Sequence, residues 1–348
     1  MPIAYNRIAI AALDESNILD AEARGQFECK PHKRSKRNAN LADYRTGAFC
    51  IAFPMTSKNK ESKKKLCYRI WYRDDSLKIK FKELSEHVSR NELYRKLPYF
   101  VYYQYISKAI RVEGNELPGV KMEWVEGSCL HEWLGGNRNR LAVSQLSAAF
   151  MKMCKDLANI GVAHGDLSNA NIIVTEKGEI RLVDYDSVYT PSMRDDFYQT
   201  TAGQDAFQHP ERLDGKLLKM SKNDDNFSQQ VIYLSLLAMS YDVSLIDWIS
   251  ESELLFTKDD LSSESNFVHS RAYQELSSMN VPEITARLSE LRSAIKGPLS
   301  DVRSIVDFHI VQEKRYVEYC HICGHKYPNA TDLYCTQCGT ARLVYQKK

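Results

Sequence analysis

VAHGDLSNANIIV, Val162 to Val174, is the stretch that decides how this chain is read. It sets His164, Asp166 and Asn171 at offsets 0, 2 and 7 between apolar flanks. Upstream, RLAVSQLSAAFMKMCKDLANIG has apolar residues at helical intervals and closes on Gly161, a residue suited to a helix C-terminal cap. Downstream, NIIVTEKGEIRLVDYD reads as two short strands around a Lys-Gly turn. A polar turn between helix and strand commonly carries Asp or Asn, so the loop alone identifies nothing. Asp184 raises its meaning, because it stands at the end of the strand IRLV, eighteen residues after Asp166. Such a strand can bring a carboxylate to a loop that already holds Asp and Asn. Phosphoryl transfer uses that set: a base near the attacking hydroxyl and hard oxygen ligands for Mg²⁺.

Other segments fall in order around this one. VKMEWVEGSCLHEWL (from Val120) is a strand running into a polar connection, FQHPER spans Phe207–Arg212, and DDNFS (Asp224–Ser228) opens the apolar helix FSQQVIYLSLLAMSY. Taken together, over about residues 45 to 300, these motifs resemble the protein-kinase superfamily. His164, Gly165, Asp166, Leu167 and Asn171 match the H-R-D-L-x-x-x-N catalytic loop, with Gly for Arg; Asp184-Tyr185-Asp186 matches D-F-G in its first position and aromatic character. Pro210 and Glu211 match the A-P-E segment, and Asp225 the acidic start of the buried large-lobe helix.

The resemblance implies an α+β, two-lobed protein-kinase-like fold. An N-terminal extension (1–40) would precede a β-rich N-lobe (41–125) and a helical C-lobe (126–312). Strand-like runs AFCIAFPM, KKLCYRIWYRD, YFVYYQYI and GVKMEWVEG with the helical SLKIKFKELSEHVSRNELYRKL fit the small lobe. By resemblance, Asp166 would accept or orient the substrate hydroxyl proton, and Asn171 with Asp184 would hold Mg²⁺ or Mn²⁺. Arg69 takes the place of the β3 lysine and would contact the α/β-phosphates of ATP. Glu86, or failing it Glu83, would pair with Arg69. Gly47 is what remains of the glycine-rich loop over the phosphates. Met122 would be the gatekeeper, with the backbone of Glu123, Trp124 and Val125 as the adenine-binding hinge. His164 would pack inside the loop, and Asp225 would brace its backbone.

Four departures matter. Arg is permanently charged, but its planar fork places that charge differently from a lysine ammonium. Gly165 removes the arginine that anchors a phosphorylated activation segment in many kinases. Ser168 stands where Ser/Thr kinases carry a lysine, and the HGDL form is closer to small-molecule and atypical kinases. Asp186 adds a carboxylate where D-F-G has glycine. Three readings therefore stand: a phosphotransferase acting on Ser/Thr hydroxyls of a protein (its own included), a pseudokinase scaffold, and a small-molecule kinase.

The C-terminus has a different chemistry. Cys320-x2-Cys323-Gly and Cys335-x2-Cys338-Gly, eleven residues apart, form two knuckles of zinc-ribbon spacing within 316–345. Four thiolates close a tetrahedral site, so the expected Zn²⁺ is structural, and His321 and His325 are not needed as ligands.

Composition bounds the partners. Lys plus Arg (47) nearly cancels Asp plus Glu (45), so no overall field demands nucleic acid or a membrane. The basic runs KPHKRSKR (from Lys30) and SKNKESKKK (from Ser57) read as solvated loops, with nucleic acid left open for them and for the ribbon; a protein partner or substrate is expected. No apolar run is long enough to span a bilayer, no signal peptide is expected, and the nine cysteines suit a reducing, cytoplasmic setting.

Overall fold

The computed structural model describes residues 3–32, 40–46, 50–72, 77–194, 196–199, 203–214, 218–307, 315–316, 318–320, 322–328, 332, 334–340 and 344–345, with backbone only at 77–81, 315–316 and 344–345. Gly47 and His321 lie outside the described residues. The chain divides into two compact units, Met1–Phe308 and His309–Lys348.

The first unit begins with two short helices, α1 (Tyr5–Ala11) and α2 (Ala21–Gln26), before strands β1 (Phe27–Cys29), β2 (Arg45–Thr46), β3 (Cys50–Ser57) and β4 (Lys65–Trp71). Helices α3 (Leu77–Asn91) and α4 (Leu93–Lys96) precede the long hairpin of β5 (Tyr103–Val112) and β6 (Asn115–Glu123). The strands form one antiparallel sheet in the order β1-β3-β4-β6-β5, with β2 on β3.

Alternation along these strands decides where each residue points. Tyr68 and Ile70 of β4, with Ile51, Phe53 and Met55 of β3, pack on one face against Ile8, Ala9, Ile18 and Ala23. Cys50, Trp71, Val120 and Met122 share the opposite face with Leu84 and Val88 of α3 and with the large lobe. Arg69, between Tyr68 and Ile70, is thereby aimed at the second face.

Residues 3–29 cover the back of the sheet, and Lys121 of β6 is buried there against Asp20 (3.2 Å) and Glu22 (2.5 Å). Asp20 also caps α2 by accepting from the N–H groups of Glu22 and Ala23. Helices of seven and six residues are too short to establish a hydrophobic period, so they leave no clear trace in the sequence.

The second lobe is mainly helical. It runs through β7 (Ser128–Cys129), α5 (Leu130–Gly136) and α6 (Arg140–Ile160), then β8 (Ile172–Val174) and β9 (Ile180–Leu182), with β8 between β7 and β9 in a small antiparallel sheet. Asn139 caps the start of α6, and Gly161 ends it with φ 67°. Helix α7 (Pro210–Leu213) leads to α8 (Asn226–Tyr241), which is buried nearly all round, and α9 (Lys258–Leu261), α10 (Glu264–His269), α11 (Arg271–Ser278) and α12 (Pro282–Lys296) complete the lobe. Helix α8 packs between α6 and α12. One hydrophobic cluster runs from the sheet's inner face through α6 and α8 to α12. This is the two-lobed α+β arrangement that the resemblance implies.

In the second unit, β10 (Arg315–Tyr316) pairs antiparallel with β11 (Val344–Tyr345). Among the described residues, no helix is long and apolar enough to cross a membrane.

Candidate active site and metal centre

The loop between α6 and β8 is held from beneath by one buried carboxylate. Asp225 accepts from the backbone N–H of His164 (2.6 Å) and of Gly165 (2.7 Å). Burial pushes its carboxyl up to about 6 against the pull of those two donors. Gly165 has φ 79°, and an added Cβ would lie 2.1 Å from the carbonyl oxygen of Ser187. The loop therefore passes that segment too closely for any side chain. The His164 ring meets the Val183 carbonyl at 2.9 Å and stacks edge-on against Tyr185; burial lowers its pKa. It is a packing residue. Asp225→Asn offers one acceptor to two N–H groups and turns an amide donor toward the other. A loss of about 2 kcal/mol is expected in urea unfolding.

Asp166 is gripped on both oxygens. Asn171 Nδ2 donates to its Oδ2 (3.1 Å) and to its backbone carbonyl (2.8 Å), and the Gln204 N–H donates to Oδ1 (3.3 Å). Burial first, then the nearby Asp184 charge, pushes its carboxyl up to about 7. Because Asn171 spends its amide N–H₂ on Asp166, its carbonyl oxygen is the atom left to face a cation.

Asp184 follows β9 with φ 66°, an uncommon left-handed conformation for a residue with a side chain, maintained only where the surroundings over-determine it. They do so here. Tyr185 is buried, donating to the Leu182 carbonyl (2.8 Å) and accepting from the Val101 N–H (2.8 Å). Across the lobes, Arg69 Nη1 donates to Asp184 Oδ1 (3.1 Å) and Nη2 to Asp186 Oδ2 (2.7 Å), while Nε and Nη2 contact Cys50 Sγ (3.4 and 3.1 Å). Burial alone would raise the Asp184 carboxyl, yet Arg69 and His164 outweigh it and leave it below the usual value. Asp186 stays raised to about 6 by burial despite Arg69.

One expectation requires correction. Neither Glu86 nor Glu83 meets Arg69 among the described contacts. Glu86 pairs along its own helix with Lys82 (3.9 Å) and Arg90 (3.5 Å), and Glu83 pairs with Arg194 (3.5 Å). The physical reason is Asp186. It supplies the second carboxylate, so the guanidinium is already bound at both ends of its fork.

A cleft of about 310 Å³ joins these groups. Its walls include Arg69, Asn171 and Asp184, the strip Met122, Glu123, Trp124 and Val125, and Cys50, Ala52, Cys67 and Ile173. Apolar walls with a few convergent polar groups are the usual make-up of a small-ligand site, and the volume is within the usual range. Met122 is buried in β6 opposite Cys67 and Tyr103. The Glu123 and Trp124 N–H groups bond to the carbonyls of Tyr102 (3.0 Å) and Lys65 (3.3 Å), which fixes the connecting strip between the lobes. The donor set suits a hard cation: Asn171, Asp184 and Asp186 offer oxygens, and Asp186 Oδ1 is buried with no hydrogen-bond partner among the described residues. Sequence reasoning had placed Asp186 here but not its bond to Arg69, and it missed Cys50 and Gln204, which carry no motif of their own.

In the second unit the four cysteines converge. Cys320 and Cys338 sulfurs are 3.5 Å apart, Cys323 and Cys335 3.6 Å, and all four lie within 4.8 Å of one another. A tetrahedral zinc with Zn–S of about 2.3 Å requires sulfurs about 3.8 Å apart. The two knuckles are built alike. Gly324 and Gly339 (φ 71° and 72°) donate to the carbonyls of Cys320 and Cys335, and the N–H groups of Cys320 and Cys335 donate to those of His325 and Thr340. This four-cysteine cluster fits a structural zinc, and the His325 side chain is not among its potential ligands.

Neither a protein-family model nor a curated protein sequence matches the chain. Among solved structures it is similar to the Cydia pomonella granulovirus kinase PK-1, at 15% identity with a TM-score of 0.44, over 79% of this chain and 90% of that one.

Proposed function

We propose that the Met1–Phe308 unit is an ATP- and Mg²⁺-dependent phosphotransferase of the protein-kinase type that acts on Ser/Thr hydroxyls of a protein, its own among them. The observation that carries this reading is one cleft lined by Asn171, Asp184 and Arg69, with Asp166 hydrogen-bonded to that same Asn171. A Mg²⁺ held by Asn171 and Asp184 would supply charge neutralisation at the transferring phosphoryl group. Arg69, on the cleft's wall, neutralises phosphate charge. The strip Glu123–Val125 offers backbone groups to the adenine edge. Asp166, already depleted of its own proton above pH 7, accepts the hydroxyl proton as the oxygen bonds to the γ-phosphorus, while the bond from that phosphorus to the β–γ bridging oxygen breaks and ADP leaves.

A second reading rests on two contacts of one residue. Arg69 binds both Asp184 and Asp186, which ties up carboxylates that a catalytic cation needs and suits a nucleotide-binding pseudokinase. Calorimetric titration with ATP separates the two. The enzyme reading expects Mg²⁺ to tighten binding at least tenfold in wild type and not in Asp184→Ala. Metal-independent binding, unchanged in Asp184→Ala, supports the scaffold.

A further inference from the structure

We propose that Asp186 is the positioning residue for Arg69, so that the carboxylate partner of the phosphate-contacting cation resides on the Asp184–Asp186 segment rather than on α3; this rests on the functional reading above. Arg69 sits on a central strand with its side chain 8% exposed, and a guanidinium so placed needs partners for its donors. On the α3 side, Glu86 is turned to Lys82 and Arg90 along its own helix. Asp186 instead gives the shortest contact of the network, 2.7 Å to Nη2, from a position where a glycine would give none.

Geometry explains why the two substitutions belong together. A planar fork presents two parallel directions at once, unlike the single point charge of a lysine. With Nη1 on Asp184 and Nη2 on Asp186, the fork lies across both carboxylates and neither holds it alone. Without Asp186, the whole guanidinium charge falls to Asp184, the residue placed to hold the cation. Arg69 then competes with Mg²⁺ for Asp184. Asp186 therefore affects metal dependence through Arg69, and its Oδ1 is buried with no hydrogen-bond partner among the described residues.

The test has two arms. In the nucleotide-free protein, Arg69→Met, Asp186→Asn and the double variant are compared by urea unfolding. Asp186 acting through Arg69 places the double variant's midpoint no lower than that of the worse single variant, whereas additive shifts overturn the proposal. In the second arm, the Mg²⁺ concentration giving half-maximal ATP binding is measured. Asp186→Asn is expected to raise it about fivefold or more, Asp186→Glu to recover part of that, and Glu86→Gln to change it less than Asp186→Asn does. Glu86→Gln matching or exceeding Asp186→Asn also overturns the proposal. Wild type failing to bind ATP removes the functional reading, and the unfolding arm then decides the Arg69–Asp186 coupling by itself.

Discussion

Asp166→Ala is expected to lower the single-turnover rate of phosphoryl transfer by about 10²–10⁴-fold while leaving the affinity for ATP within about threefold of wild type. The asymmetry follows from where Asp166 stands. Both its oxygens are engaged within the protein, by Asn171 and by the Gln204 N–H, which aims the carboxylate, and Asp166 is not itself among the residues that line the nucleotide cleft. Its raised pKa, about 7, adds a sign to the prediction. A base works only when unprotonated, so the rate should climb with pH through the region near 7 and level off above it. Part of that elevation comes from the Asp184 charge, so the midpoint should fall as Mg²⁺ is raised. A pH–rate profile at two Mg²⁺ concentrations reads both effects. A flat profile, or one that falls with pH over this range, contradicts the assignment of Asp166 as base.

Cys335→Ser should unfold the ribbon and leave the larger unit intact. Among the described residues of His309–Lys348, the buried hydrophobic cluster consists of Cys320, Tyr327 and Cys335, so two of these three are themselves sulfur ligands. So small a cluster cannot offset the chain entropy of a folded module. Metal binding, with apparent free energies of about 10–16 kcal/mol in small zinc modules, supplies the difference. The expected results are zinc falling from one per chain to a trace, loss of dispersion in the ribbon's amide signals, and an unchanged unfolding transition for Met1–Phe308. Prolonged chelation should reproduce them. A ribbon that stays folded without metal would refute the zinc assignment.

Much of the site was legible because its pieces are local in sequence. The catalytic loop spans eight residues, His164 to Asn171; its strand partner follows within eighteen; each knuckle is a four-residue unit. Turn chemistry and strand periodicity place such groups near one another, while their roles came from the resemblance. The buried brace from Asp225 came from the resemblance, since an aspartate opening a helix more often caps it; here it makes no such cap and accepts from His164 and Gly165 instead. Contacts made by folding at long range were not legible. Arg69 and Asp186 are separated by 117 positions, and nothing near either residue states that they meet. Matching a family pattern assigned Arg69 a glutamate on α3, because the pattern carries its own partner with it. Asp186 stands where that pattern has glycine, and its carboxylate meets Nη2 of the arginine. The N-terminal layer was hidden for another reason: Ile8, Ile18 and Phe27 lie on short elements whose apolar faces become recognisable only against the back of the sheet.

Lys121 illustrates the same limit. In β6 it reads as an ordinary alternating polar residue, yet it is buried against Asp20 and Glu22. An isolated buried lysine is costly, so the acidic pair at the start of α2 makes this position tolerable. The N-terminal layer and the lobe that carries Arg69 are therefore joined by charge as well as by packing.

The central claim, that this cleft transfers a phosphoryl group, is tested most directly by counting products in one turnover of γ-labelled ATP with Mg²⁺. The expected result is one ADP formed for each phosphoryl group gained by a Ser or Thr hydroxyl in wild type, with both lost in Asp166→Ala and Asp184→Ala. ATP bound tightly in the presence of Mg²⁺ or Mn²⁺, with neither ADP nor phosphorylated hydroxyl appearing, would contradict it.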